Sequence, residues 1–169
     1  DLVKYGREQE KLHDKNFRFT LTTNGVLLND EIMEFCNQEM GNVVLSLDGR
    51  KEVHDRMRPF RSGKGSYDLV VPKFQKFADS RGQERYYVRG TFTRNNLDFA
   101  EDVLHFADLG FKQVSMEPVV SAPEEPYAIR EEDIPAICAE YDRLAKEMVE
   151  REKAGKGFNF FHFMIDLTG

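Results

Sequence analysis

Strand-like and helix-like patterns alternate along the chain. Short apolar runs rich in β-branched and aromatic residues are typical of strands, whereas apolar residues spaced three and four apart are typical of amphipathic helices. The predicted strands cover residues 17–23, 43–47, about 85–93 and 112–116. The predicted helices cover residues 1–14, 30–40, about 66–78, about 96–109 and about 131–154.

Turn and cap residues agree with these boundaries. Asn29 is placed to cap the helix at 30–40, and Gly110 is placed to end the helix at 96–109. Pro135 falls in the opening turn of the last helix, where proline is tolerated. Residues 48–65 are predicted to form a long loop.

The alternation predicts an α/β fold, because strands separated by helices are joined by crossovers into a parallel sheet. About four parallel strands with outer helices are too few for a closed eight-stranded barrel, which typically needs about 250 residues. We therefore expect a partial (β/α) barrel over residues 1–157, incomplete on its N-terminal side. The apolar residues 158–163 are expected to pack, and 158–169 to begin a connection to a further domain.

Composition narrows the class of protein. The 169 residues are 40% hydrophobic and carry a net charge of -6. A nonspecific nucleic-acid binder is disfavoured, because phosphate neutralisation needs clustered Lys and Arg. No apolar run approaches the roughly 18 residues that a membrane span requires. The sequence therefore predicts a cytoplasmic globular protein with neither a nucleic-acid nor a membrane partner.

The cysteines and histidines indicate no metal site within the chain. Cys36 and Cys138 both stand among residues with helical periodicity, so buried free thiols are predicted. The four histidines have no ligand spacing between them. No metal ligand is therefore predicted in these residues.

Polar residues stand at the ends of the first two predicted strands, where parallel α/β proteins bind ligands. Thr22 and Asn24 end the first strand, although an ordinary turn explains them equally well. Ser46 ends the second strand, and Arg58 can fold back from the following loop. A hydroxyl and a forked guanidinium at one mouth suit a carboxylate. The alternative is a serine that caps a turn and an arginine on the surface.

Four further positions are candidates on sequence grounds. Arg89 in the third strand points either into the barrel, with a functional role, or outward to solvent. Glu117 in the fourth strand is either a ligand contact or a solvated carboxylate, and the backbone before Val120 can bond a planar base. His54 is expected to fix the loop, because neither a nucleophile nor a second carboxylate is spaced for catalysis with it.

Several of these motifs resemble one family. Thr-Asn-Gly at 23–25, Ser-Leu-Asp-Gly at 46–49, His-Asp at 54–55 and Arg58 are similar to radical S-adenosylmethionine enzymes with a C-terminal SPASM extension. Within that family, residues 86–93 and 161–169 resemble the maturases of six-cysteine peptides. The resemblance implies an enzyme with S-adenosylmethionine and [4Fe–4S] clusters. A reductant would drive cofactor cleavage and hydrogen abstraction, and thioether crosslinks would form in a Cys-rich ribosomal precursor peptide.

The resemblance also implies roles for individual residues. Ser46 and Arg58 would hold the amino-acid end of S-adenosylmethionine, and Val120 would lie near its adenine. Thr22 and Asn24 would face the cofactor or the substrate.

The family's cluster-binding Cys-x3-Cys-x2-Cys loop and its Gly-Gly-Glu-Pro motif are absent from the 169 residues. We expect both on the N-terminal side of Asp1, and the auxiliary-cluster cysteines beyond Gly169. No catalytic residue is therefore predicted here, and the chain is expected to be an inactive fragment of the enzyme.

Two other functions stay open. A sulfatase-maturating enzyme, which forms formylglycine, would share the same cofactor motifs. A non-catalytic α/β binding module would need no cluster loop at all. An exposed strand edge at 17–23 further predicts pairing of two copies into a homodimer.

Overall fold

The computed structural model describes residues 1–164, in which helices and parallel strands alternate. The α-helices are α1 (Leu2–His13), α2 (Asp30–Glu39), α3 (Lys51–Met57), α4 (Tyr67–Ser80), α5 (Phe99–Asp108) and α6 (Ile134–Lys153). The strands are β1 (Phe19–Thr23), β2 (Met40–Ser46), β3 (Tyr86–Phe92), β4 (Gln113–Pro118) and β5 (Asn159–Phe160). Short 3₁₀ turns cover Arg94–Asn96, Glu131–Asp133 and Phe161–Phe163.

The strands form one sheet in the order β1-β2-β3-β4-β5, and every neighbouring pair is parallel. The predicted α/β fold with a partial barrel of parallel strands is confirmed, with one strand more than expected. That strand, β5, pairs Asn159 with Gln113 and Phe160 with Val114. Two residues are too few to show a strand period, so the sequence did not predict it. β1 lies at one edge of this sheet, and a homodimer through that edge stays a prediction.

One face of the sheet is covered by helices and forms the hydrophobic core. Alternate strand residues point to opposite faces, so every second residue is buried here. The strand residues of this core are Met40, Val43, Leu45, Tyr86, Val88, Phe92, Val114, Met116 and Phe160. The helices contribute Met33, Cys36, Val70, Phe74, Phe77, Phe99, Val103, Phe106, Ile137 and Leu144. The apolar pattern of the strands thus determines which face the helices cover.

The intervening strand residues form the opposite face, which is largely polar and which we call the inner face. Its members, by register, are Thr20, Thr22, Asn42, Val44, Ser46, Tyr87, Arg89, Thr91, Gln113, Ser115 and Glu117. Ser46 and Ser115 are buried, whereas the others are half-buried or exposed. A row of hydroxyl, amide and charged groups therefore faces away from the helical layer.

Two predicted helix ends are confirmed. The side chain of Asn29 accepts a hydrogen bond from Ile32 N at 2.9 Å and caps α2. Gly110 follows α5 with a φ of 92°, a left-handed conformation that favours glycine. These caps fix where the chain leaves each helix for the next strand.

The expectation of an unbroken loop at 48–65 is wrong, because α3 occupies Lys51–Met57. Val53 and His54 are the buried residues of this helix. Seven residues with one buried aliphatic side chain do not show a helical period, so the sequence pattern could not indicate the helix. His54 and Asp55 consequently lie on a helix rather than in a loop.

The two cysteines differ in environment, and both are free. Cys36 is buried as predicted, but Cys138 is exposed on α6, so the prediction of two buried thiols is wrong. The core-facing stripe of α6 runs through Ile137, Tyr141 and Leu144. Cys138 is one position past Ile137 and so lies about 100° around the helix from this stripe.

The end of the described chain packs against the sheet. Phe158 and Phe160 are buried, as expected for this apolar stretch, whereas Phe161 is 52% exposed and Phe163 is 37% exposed. Residues 165–169, part of the segment expected to lead to a further domain, lie outside the described residues. Within residues 1–164, no helix is both long and apolar enough to cross a bilayer.

Candidate functional site

A carboxylate at the end of β2 fixes the guanidinium of Arg58. Asp48 is only 3% exposed, and its Oδ2 and Oδ1 accept hydrogen bonds from Arg58 Nε at 2.6 Å and Nη2 at 3.0 Å. Thr91 N also donates to Asp48 Oδ1 at 3.2 Å. A two-point contact between charged groups sets both the position and the plane of the guanidinium. Asp48 thus holds Arg58 at the carboxyl end of β2.

The outer edge of Arg58 is left for another acceptor. Its Nη1 and the second N–H of Nη2 make no hydrogen bond within residues 1–164, and the side chain is 37% exposed. This edge has the forked geometry that carboxylates bind. The sequence indicated Arg58 as a carboxylate ligand, but it did not indicate that Asp48 would position it.

His54 links this pair to the start of α4 and is only 1% exposed. Asp48 N donates to His54 Nδ1 at 3.2 Å, so the ring proton is on Nε2, which donates to Ser66 Oγ at 3.0 Å. Ser66 Oγ in turn donates to Arg58 O at 2.6 Å. Burial lowers the pKa of His54, since it disfavours the imidazolium. These contacts agree with the predicted fixing role of His54.

A second buried carboxylate holds the turn between β2 and α3. Asp102 on α5 is fully buried and accepts hydrogen bonds from Arg50 N at 2.9 Å, Arg50 Nε at 2.8 Å and Asn96 Nδ2 at 3.0 Å. Burial raises the pKa of Asp102 despite these donors. Gly49 has a φ of 145°, and a Cβ there would lie 2.4 Å from Asp102 Oδ1. The close approach therefore requires glycine at this position.

A cleft of about 820 Å³, which we call the mouth cleft, opens beside the carboxyl ends of β1 and β2. Residues of the β1–α2 turn and of the segment after α3 line it, along with His54. They include Asn24, Val26, Leu27, Arg58, Pro59, Phe60, Arg61 and Ser66. The structure thus brings together Asn24 and Arg58, two of the predicted site residues.

The side-chain oxygen of Asn24 takes part in its own turn, since Oδ1 accepts a hydrogen bond from Val26 N at 3.2 Å. This is the ordinary turn that the sequence left open as an alternative, and it orients the side-chain amide at the cleft. Thr22 lies two residues earlier on the inner face of β1 and is exposed. Ser46 lies on the same face at the end of β2, paired in register with Arg89.

Val120 stands apart from the other predicted residues. It lies two residues beyond β4 and is 98% exposed. Val119 N donates to Phe92 O at 2.9 Å, so the backbone before Val120 follows the end of β3. Within the described chain, the Val120 side chain therefore packs against neither Ser46 nor Arg58.

A smaller cavity of about 190 Å³ lies on the inner face. Arg89 points into it and pairs with Glu117 at 2.7 Å, so its direction, open on sequence grounds, is inward. Ser115 Oγ lies 3.5 Å from His162 Nε2, and the Tyr87 ring meets Phe161 edge to face at 5.5 Å between centroids. Tyr87 lines this cavity as well, although its place in the sequence pattern did not single it out. The buried neighbours on either side of it carry the alternation that could have indicated its direction.

Metal ligands do not cluster in the described part of the chain. Within residues 1–164, no group of three or more His, Cys, Asp or Glu side chains is arranged to hold a metal ion.

The fold and its polar strand ends define a class of α/β protein: a partial (β/α) barrel with an open cleft at the carboxyl edge of its sheet. Native anSMEcpe with bound AdoMet and Kp18Cys peptide shares this fold with a TM-score of 0.78 and 18% identity, over 96% of this chain and 47% of that chain. Streptococcus suis SuiB bound to S-adenosylmethionine matches with a TM-score of 0.58 and 16% identity, over 95% and 36%.

Comparison of sequences finds curated relatives that are much longer than this chain. No protein-family profile matches the chain. A cysteine-type anaerobic sulfatase-maturating enzyme of Clostridium novyi is 25% identical over 124 residues, which cover 70% of this chain and 33% of that protein. The chain spans about a quarter to a third of the length of the curated relatives that it matches.

Proposed function

We propose that this chain is part of a radical S-adenosylmethionine enzyme that modifies a peptide. The observation that carries the proposal is the open edge of Arg58, fixed by Asp48 at the end of β2 and facing a cleft large enough for a ligand. The shared fold with two structures that contain the cofactor supports the same function.

Arg58 and Asn24 line the cleft, and both suit the cofactor's amino-acid end, which residues outside the lining would also contact. Arg58 would bind the carboxylate through Nη1 and Nη2, since Asp48 already holds its other edge. Ser46 would add a hydroxyl from the end of β2, and Asn24 an amide from the end of β1. Val120 would contribute its backbone near the adenine, and Thr22 would face the cofactor or the substrate from the inner face.

When bound with a [4Fe–4S] cluster, S-adenosylmethionine supplies hydrogen-abstraction chemistry. Within residues 1–164 no group of side chains is arranged to hold a cluster, so we assign these residues to cofactor binding and substrate positioning. The cluster ligands would come from elsewhere in the full-length protein. For the chain by itself we expect neither bound cofactor nor cofactor cleavage.

Two substrate classes are compatible with this function. The resemblance of residues 86–93 and 161–169 to six-cysteine peptide maturases supports thioether formation in a Cys-rich precursor peptide. The Clostridium novyi relative and the anSMEcpe fold support formylglycine formation in a sulfatase. Both reactions need a reductant for the cluster, and both act on a peptide segment.

Calorimetric titration with S-adenosylmethionine tests the cofactor site of the full-length protein. Arg58→Ala should weaken binding by about 1.5–3 kcal/mol, the value of a charge-assisted hydrogen bond. Affinity that does not change in this variant would overturn the assignment of Arg58.

The substrate class is tested with the same protein, reconstituted without oxygen and given a reductant. A Cys-rich peptide and a sulfatase-derived peptide would be supplied in parallel, and the products weighed by mass spectrometry. A thioether product keeps its sulfur and loses two hydrogen atoms, whereas formylglycine loses the sulfur. If neither product forms and S-adenosylmethionine does not bind, the result would favour the non-catalytic binding module.

A further inference from the structure

Residues 56–66, which we call the basic loop, carry a concentrated positive charge in an acidic chain. They contain Arg56, Arg58, Arg61 and Lys64 and no Asp or Glu, while the whole chain has a net charge of -6. The basic loop comprises the last two residues of α3 and the connection to α4, and it forms one side of the mouth cleft. A local charge opposite to the overall charge indicates a surface for an anionic partner.

Three of the four cations are not neutralised. Arg58 pairs with Asp48, but Arg56, Arg61 and Lys64 are exposed and form no ion pair within residues 1–164. Many other cations of the protein are paired, as Arg50 is with Asp102 and Arg143 with Glu101. The basic loop therefore presents charge that the described residues do not offset.

The loop is held in one conformation. Phe60 N donates to Lys64 O and Gly63 N donates to Phe60 O, each at 2.8 Å, so the loop closes on itself. At its end, a Cβ on Gly65 would lie 2.2 Å from the Asp55 carboxyl group, and Tyr67 N donates to Asp55 Oδ1 at 2.8 Å. A pre-ordered loop loses little conformational entropy when it binds a partner.

The cleft beside these cations also has an apolar wall. Leu27 is 81% exposed there, and Val26, Pro59 and Phe60 line the same cleft. The volume of about 820 Å³ lies within the range of ligand sites. Phe60 supplies the one benzene ring among the lining residues, which does not favour the successive stacking by which single-stranded nucleic acids bind.

We propose that the basic loop docks an acidic segment of a peptide, with Arg61 and Lys64 pairing its carboxylates and Leu27 contacting an apolar side chain. The inference rests on the proposed function, because this peptide would be the substrate of the adjoining site. The docking itself needs neither cofactor nor cluster. It makes the substrate class more specific: a peptide that carries acidic and apolar residues next to the modified position.

Fluorescence anisotropy on the full-length protein tests the docking. The probe is a fluorescein-labelled peptide that alternates glutamate with leucine, and the control peptide has glutamine in place of each glutamate. We expect the glutamate peptide to bind in a salt-sensitive manner, roughly tenfold tighter than the control peptide. The double variant Arg61→Glu/Lys64→Glu should weaken that binding by roughly tenfold or more.

The double variant Lys146→Glu/Lys156→Glu is the matched control, because it changes the net charge equally at exposed positions on or after α6. It should leave the affinity within about twofold. Equal binding of the two peptides, or an equal loss in both variants, would overturn the proposal. Displacement of the peptide by an oligonucleotide of the same charge at the same concentration would also overturn it.

Calorimetry with S-adenosylmethionine on the same proteins separates the two levels of inference. The added single variant Lys64→Glu, at a residue that does not line the mouth cleft, should bind the cofactor as the unmodified protein does. Cofactor binding without peptide binding would overturn the docking proposal and leave the proposed function standing. Peptide binding without cofactor binding would support the docking surface and overturn the proposed function.

Discussion

Asp48 and Arg58 lie ten positions apart in sequence and meet through two parallel hydrogen bonds of 2.6 and 3.0 Å. The carboxylate is almost fully buried, whereas the guanidinium reaches solvent. Besides Arg58, one N–H, that of Thr91, donates to this carboxylate within the described chain. The same ion pair therefore stabilises the end of β2 and positions Arg58, a candidate ligand-binding residue.

Removing Arg58 should destabilise the fold. Arg58→Ala leaves the Asp48 carboxylate buried with the Thr91 N–H alone, and we expect the free energy of unfolding to fall by about 1–3 kcal/mol. Urea unfolding followed by circular dichroism measures this. Arg56→Ala, an exposed neighbour on α3, should stay within about 0.5 kcal/mol of the unmodified protein. Similar losses in the two variants would contradict a structural role for the pair.

Ser46→Ala should weaken S-adenosylmethionine binding about fivefold, which corresponds to about 1 kcal/mol for one hydrogen bond. Asn42→Ala is the control, because Asn42 lies on the same face of the same strand, four residues nearer its amino end. Calorimetric titration of both variants checks the expectation. A larger loss of affinity in Asn42→Ala than in Ser46→Ala would place the cofactor near the amino end of β2 and contradict the assignment of Ser46.

Gly49→Ala should be more damaging than a substitution at another glycine with positive φ. Its Cβ would displace the Asp102 carboxylate from Arg50, so we expect a loss of about 3 kcal/mol from strain and broken hydrogen bonds. Gly63 has a φ of 80°, and a Cβ there would meet no atom within 4 Å, so Gly63→Ala should cost about 1 kcal/mol. Thermal and urea unfolding measure both, and equal losses would argue against the steric role of Asp102.

Stability should fall as the pH drops below the ordinary pKa of histidine, about 6.5. Burial lowers the pKa of His54, so the unfolded chain takes up a proton before the folded chain does. Protonation would also set an N–H of the ring against Asp48 N, which now donates to it. Between about pH 7.5 and about pH 5.5, His54→Asn should lose less stability than the unmodified protein. An identical pH profile would exclude His54 as a cause.

The two thiols should differ in reactivity. Cys138 is exposed, whereas burial encloses Cys36 and raises its pKa, which lowers its thiolate fraction. Iodoacetamide should therefore label one cysteine in the folded chain and both in denaturant, as counted by mass spectrometry. Rapid labelling of Cys36 without denaturant would show that α2 opens readily.

Local patterns predicted the layers of this fold better than its connections. The caps at Asn29 and Gly110 and the apolar runs around Val43 and Val88 depend on neighbours in sequence, so they could be predicted from sequence. The short helix α3 depends on contacts made by two buried residues, and β5 depends on an edge of β4. Neither leaves a periodic signal in the sequence.

The sequence indicated candidate site residues, which stay predictions, but it did not indicate how they are arranged. Ser46 is the last residue of β2, and Arg58 directly follows α3. That Asp48 orients Arg58 could not be predicted, because the contact requires α3 to turn the chain back. The direction of Arg89 follows from register with Ser46 and Ser115, which only pairing of the strands reveals.

The inner face has an evolutionary consequence. The helices bury the opposite side of the sheet, so most of the burial that favours folding comes from residues such as Leu45 and Val88. Side chains such as Asn42, Thr91 and Gln113 can consequently be exchanged at little cost to the folded state. Relatives with the same outer layer can thus diversify their ligands through the half-buried and exposed positions of this face.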